Sequence, residues 1–94
     1  MQGVLCMLII MFTVYILKSE KTGRYYIGHC EDMHERMKRH NGGYVRSTAP
    51  YRPWVVIYQE LSQNRLRASQ REKQIKSYKG GEAFRKLLYK AKEC

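Results

Sequence analysis

Acidic residues are scarce in this chain. Eight Asp and Glu stand against eighteen Lys and Arg, a formal charge of +10 at pH 7 over 94 residues. On so small a surface the excess creates a positive field that suits an acidic partner, either nucleic acid or an anionic membrane surface. The basic residues run from Lys18 to Lys92, so no basic tail carries the charge and the folded surface must. Cysteine is also sparse: Cys6, Cys30 and Cys94 are odd in number and lie far apart, with no C-x-x-C spacing. That excludes a disulfide framework and a structural zinc site, and it implies a cytoplasmic setting. His29, Cys30, His34 and His40 cluster in sequence, but offsets of five and six do not line one helical face, so no metal site is expected from them.

Long hydrophobic runs are missing too. Val4 to Leu17 is a run of 14 residues without a charge. A membrane span needs roughly 18–20, and Met-Gln-Gly lacks the basic start of a signal peptide. Stable membrane insertion is therefore not expected. The second half of the run reads as a strand, which leaves residues 1–11 as an apolar extension before a domain over 12–92. Met7 and Met11 are alternative starts. A chain of this length holds one domain with a modest core.

What is present begins with "TVYILKSEKTGRYYIGHC", residues 13–30. Two β-type runs flank a polar stretch containing Gly23, which predicts a hairpin with strands over 12–18 and 24–29. Asp32 is a good N-cap for a helix over 33–40, which Asn41-Gly42-Gly43 stops. The segment "NGGYVRSTAPYRP" reads as a surface loop and Trp54 to Leu61 as a third strand. Ser62 or Asn64 can cap a helix to about Lys79. After Gly80-Gly81, Glu82 to Lys92 forms the last helix, with Phe84, Leu87 and Leu88 on one side. The order β-β-α-β-α-α gives a small α/β (α+β) layer structure.

Some polar residues fall where apolar ones belong. Met33 and Met37 mark the apolar face of the first helix, and Arg36 and His40 sit at its edge. Arg36 there either lays its stem over the core with its head in water or serves an anion. In the second helix Ala68, Ile75 and Tyr78 trace the inner face, and Glu72 lies among them. A carboxylate at that position pairs with Lys76 at i+4 or seeks a cation. If Lys18 opposes Gly23 in the hairpin, Tyr15 falls opposite Tyr26 and two phenols share one face.

These residues together resemble the GIY-YIG nuclease family in its small stand-alone bacterial form. Thr13-Val14-Tyr15 matches the first motif and Tyr26-Ile27-Gly28 the second. Arg36, ten residues past Tyr26, matches the family arginine, and "ASQREKQIKSYK" its glutamate helix, with Glu72 as the glutamate. The likeness spans about residues 12–88. Thr13 replaces the opening glycine, and His29 stands where a repair-nuclease branch has lysine.

The resemblance implies a three-stranded antiparallel sheet flanked by helices and a metal-dependent endonuclease that hydrolyses phosphodiester bonds. The implied substrate is DNA rather than RNA, in repair or recombination. Glu72 would be the sole protein ligand of one Mg²⁺ or Mn²⁺ ion. Arg36 would grip the scissile phosphate. Of Tyr15 and Tyr26, one would be the general base and the other a hydrogen-bonding partner of phosphate or water, with Tyr15 favoured as base. His40 is a second candidate acceptor. His29, Arg46, Thr48, Arg52, Lys73 and Lys76 are the candidate nucleic-acid contacts, with Tyr44 and Tyr51 available for stacking. The alternative is a non-catalytic nucleic-acid-binding module on the same fold, although binding alone requires neither the tyrosine pair nor Glu72. A basic membrane-surface protein using residues 4–17 is the other rival, and it fails if deleting residues 1–10 leaves a soluble, folded domain.

Overall fold

The computed structural model describes residues 11–93, so all but the last residue of the expected extension over 1–11 lies outside the described residues. Three strands, β1 (Phe12–Ser19), β2 (Tyr25–Cys30) and β3 (Trp54–Ser62), form one antiparallel sheet in the order β2-β1-β3. The helices are α1 (Met33–Asn41), α2 (Arg65–Ser77) and α3 (Glu82–Glu93). The order β-β-α-β-α-α is the one the sequence predicts. Among the described residues no helix is long and apolar enough to cross a membrane.

Because β1 is central, both of its faces are covered, and Phe12 through Leu17 are all buried. Alternation along the strand divides them. Phe12, Val14 and Ile16 pack with Ala68 and Ile75 of α2 and Phe84 of α3. Tyr15 and Leu17 point the other way, toward Cys30, Trp54 and the methionines of α1, Met33 and Met37. Each fully buried apolar side chain contributes roughly 1.5–3 kcal/mol.

The helices begin where side chains cap them. The Asp32 carboxylate accepts from the Glu35 amide at 3.1 Å, and the Asn64 side-chain oxygen accepts from the Arg67 amide at 2.8 Å. Each bond satisfies a donor that the first turn leaves free. After α2 the chain turns through Gly80 at φ +72°, a left-handed conformation natural to glycine.

Two expectations change. Lys18 pairs with Tyr25, not Gly23, so Tyr15 faces Gly28 and Leu17 faces Tyr26. The four-residue loop is Glu20–Gly23, closed by the Ser19 amide on the Arg24 carbonyl at 2.8 Å. The register differs from the expected one by two residues, which keeps Tyr15 and Tyr26 on one face as diagonal neighbours. The segment 41–53, expected as a surface loop, contains a 3₁₀ turn at Ala49–Tyr51 and is tied to the sheet. Asn41 exchanges hydrogen bonds with the Trp54 backbone at 2.7 and 3.1 Å, and the Trp54 indole donates to the Thr48 carbonyl at 2.8 Å.

Candidate active site

The site lies at the β2 edge of the sheet, and Gly28 shapes it. A Cβ at that position would stand 2.8 Å from the Tyr15 hydroxyl oxygen and 3.1 Å from a ring carbon of Tyr26. Only a residue without a side chain lets the phenol of Tyr15 cross its partner strand this closely. The Tyr15 and Tyr26 rings lie 6.3 Å apart, and His40 of α1 stands edge-on to both, at 5.9 and 5.0 Å.

A buried hydrogen-bonded series runs inward from Tyr15. Its hydroxyl is 3.0 Å from His40 Nε2, and His40 Nδ1 is 2.9 Å from Thr48 Oγ1. The Thr48 hydroxyl in turn donates to the Val45 carbonyl at 3.3 Å. Tyr15, His40 and Thr48 have essentially no exposed surface. Burial lowers the His40 pKa from 6.5 to about 4, helped by the positive charges of Arg36 and Arg39. The imidazole is therefore neutral near pH 7, with one nitrogen free to accept a proton. Burial also raises the Tyr15 pKa, with Tyr26 adding to the effect and Arg36 opposing it. Tyr15 is thus a phenol in the resting protein.

Tyr26 differs from Tyr15. It is half-buried, and its hydroxyl makes no hydrogen bond among the described residues, so it faces solvent. Arg36 is half-buried as well, and its guanidinium has no carboxylate or hydrogen-bond partner among them. Its charge is felt by Tyr15, Cys30 and His40 together. A cleft of about 270 Å³ opens beside it, with His29, Arg36, Arg39 and Arg65 among its lining residues. Acidic side chains line it too: Asp32 caps α1 and Glu31 pairs with Arg65 at 3.4 Å.

Glu72 comes to the same edge from α2. One carboxylate oxygen is 2.6 Å from His29 Nδ1, and the other is 2.6 Å from the Lys76 ammonium. Burial pushes the Glu72 pKa up, but the hydrogen bonds from Lys76 and His29 outweigh it and hold the carboxyl below its ordinary range. The i+4 pair with Lys76 is realised, and the other carboxylate oxygen meets His29 of β2. Among the described residues no three His, Cys, Asp or Glu side chains form a metal-binding group.

The five candidate catalytic residues, Tyr15, Tyr26, Arg36, His40 and Glu72, are thus gathered at one edge. The candidate nucleic-acid residues separate. Arg46, Arg52 and Lys73 are exposed, and Arg52 Nε donates to the Ala49 carbonyl at 2.7 Å. His29 and Lys76 are held on Glu72. Thr48 is buried behind His40, so its hydroxyl does not reach the surface where a strand would lie. Tyr44 is exposed, whereas Tyr51 carries the Arg24 guanidinium over its ring at 4.3 Å. Sequence reasoning passed over Arg39, which reads as an ordinary solvated charge but bears on His40. It also passed over the steric need for glycine at 28, for which the second motif itself was the available signal.

The family model described as the GIY-YIG catalytic domain matches residues 11–83. Among curated proteins, the chain is similar to the UPF0213 proteins of Staphylococcus aureus strains Mu50, N315 and MW2. It is 36% identical to each over 66 residues, which cover 69% of this chain and 79% of each relative. No solved structure matches.

Proposed function

On the premise that this chain belongs to the GIY-YIG nuclease family, whose domain acts on nucleic acid, we propose that it is a metal-dependent endonuclease cutting DNA by phosphodiester hydrolysis. The observation that supports this most is Arg36. A half-buried guanidinium without an anionic partner among the described residues stands beside a neutral phenol–imidazole pair and an ionised carboxylate. Those are the groups that phosphodiester hydrolysis asks of a protein: an anion clamp, a proton acceptor and a cation ligand.

The donor chemistry at Glu72 fits one sparsely held hard cation, Mg²⁺ or Mn²⁺. The half-exposed Lys76 ammonium against its outer oxygen marks a position where positive charge is already accepted. Glu72 would hold the ion with water and phosphate completing its shell, as such ions prefer. When bound, the ion supplies charge stabilisation to the phosphoryl oxygens.

The protein's own groups do the rest. Arg36 grips the scissile phosphate with its planar fork. Tyr26, hydroxyl outward, hydrogen-bonds phosphate or the attacking water. Tyr15 is fully buried in the free protein, so its oxygen meets that water only when substrate binding opens a path to it. It takes the water's proton while passing its own to His40. Burial is the main cause of the low His40 pKa, and phosphate bound at Arg36 neutralises one of the two charges that add to it, so substrate binding makes the acceptor more basic. Arg46, Arg52 and Lys73 contact the flanking backbone, joined by His29 and Lys76 as they leave Glu72.

Glu72→Gln tests the reading, assayed for cleavage and for binding with Mg²⁺ or Mn²⁺. Gln keeps size and helix propensity and removes the charge. Cleavage should fall at least ~10²–10³-fold, several kcal/mol of barrier, while metal-free binding persists. Cleavage within tenfold of wild type removes Glu72 as the ligand. Binding without cleavage by either protein favours the non-catalytic module.

A further inference from the structure

We propose that Thr48 is a positioning residue that fixes the tautomer of His40, so that the imidazole takes the Tyr15 proton. The inference rests on the nuclease reading above but stands on its own geometry. Thr48 and His40 are buried together, with Thr48 Oγ1 2.9 Å from Nδ1 and Tyr15 Oη 3.0 Å from Nε2.

Two hydroxyls bracket one neutral ring, so one of them must donate to it and the other accept from it. Two facts assign the direction. A carbonyl oxygen only accepts, so the Thr48 contact with the Val45 carbonyl at 3.3 Å uses the threonine proton. That leaves Oγ1 to accept from Nδ1–H. A phenol is also much more acidic than an aliphatic alcohol and is the better donor to an imidazole lone pair. The Tyr15 hydroxyl therefore donates to Nε2, which leaves its remaining lone pairs to accept from the attacking water once substrate binding opens a path to this buried oxygen. The opposite tautomer would turn Nε2–H onto Tyr15 and leave the phenol proton with no acceptor.

The loop carrying Thr48 is built for this placement. The Trp54 indole holds the Thr48 carbonyl, and the Thr48 amide itself donates to Val45 at 3.1 Å. In the step this serves, water gives its proton to Tyr15 Oη as the phenolic proton moves to His40 Nε2. The oxygen pair of the water forms the new P–O bond, and the leaving oxygen departs with its electron pair and takes a proton from solvent. Around the relay stand Arg36 and Arg39 from α1, Tyr26 and Cys30 from β2, and Glu72 from α2.

Thr48→Val keeps the shape and deletes the hydroxyl, and Thr48→Ser restores it. With a DNA substrate and Mn²⁺, kcat of the Val variant should fall about 10- to 100-fold, the usual loss for a partner that orients a histidine. KM should stay within about twofold, and Ser should recover most of kcat. Nitrogen-15 NMR of the His40 ring provides a readout independent of cleavage. Wild-type protein should show a protonated Nδ1 and a bare Nε2, and Thr48→Val should shift population toward protonated Nε2. Wild-type kcat in Thr48→Val, or protonated Nε2 in wild type, overturns the proposal. If wild type cuts nothing, the nuclease reading falls, and the ring spectrum still decides the role of Thr48. If the Val variant does not fold, the wild-type spectrum and the Ser variant decide it.

Discussion

The two faces of the sheet are built from one strand and do different work. On the side of α2 and α3, β1 offers Phe12, Val14 and Ile16 to an almost wholly apolar cluster. On the side of α1 it offers Tyr15 and Leu17, and the buried neighbours there include His40 and Thr48. The first face is free to maximise packing. The second must keep polar groups dry, and it does so by satisfying each of them: no buried side-chain nitrogen or oxygen among the described residues lacks a partner. Purely apolar packing lies on one side, and the buried hydrogen-bonded groups lie on the other.

The largest effect expected from this division is on stability alone. Ile16→Ala empties a fully buried site on the apolar face and should cost about 2–5 kcal/mol in denaturant unfolding. Cleavage per folded molecule should stay within about threefold of wild type. A larger loss of activity would show that the two faces are mechanically coupled.

Next comes a pH effect on the polar face. His40 has a folded pKa of about 4 against 6.5, so between those values the unfolded chain binds the extra proton. Its contribution is complete above about pH 6.5 and is lost as pH falls toward 4, up to about 3 kcal/mol in all. Urea titrations at pH 7 and pH 5 should show the drop in wild type and a smaller one in His40→Gln. An equal drop in both would assign the acid sensitivity elsewhere.

The smallest is Arg36→Lys, which keeps the charge beside the tyrosines and loses the fork. Cleavage should fall about tenfold, some 1.4 kcal/mol of barrier, with DNA affinity and unfolding midpoint little changed. Undiminished cleavage would reduce the role of Arg36 to charge alone.

The helical part of the apolar face, Ala68, Ile75, Tyr78, Phe84, Leu87 and Leu88, was readable in the sequence because helical periodicity is a local property. The helix cap Asp32 was readable from local sequence too, and Asn64 as one of two candidates beside Ser62. The polar face was readable as a set of residues but not as an arrangement. Alternation fixes the hairpin register only to within two residues, since a shift of two returns every side chain to its own face. Hydrophobic pattern therefore could not choose between Gly28 and Tyr26 as the partner of Tyr15. Thr48 was misplaced for a different reason. In a loop rich in glycine, proline and arginine, a threonine reads as surface, and its burial depends on bonds from Asn41 and Trp54 that no local pattern reveals.

The sheet order also separates the site by how readily its parts open. β1 is laddered on both sides, whereas among the described residues β2 and β3 each keep one unpaired edge. Amide hydrogens of a central strand exchange only through the larger openings of a domain, and those of an edge strand through local fraying as well. Tyr15 rides on the strand slowest to exchange, while Tyr26 and His29 ride on one that can loosen independently. In the proposed mechanism the oxygen that takes the water's proton is mounted on the last part of the molecule to breathe, and two of the groups meant for the substrate on one of the first.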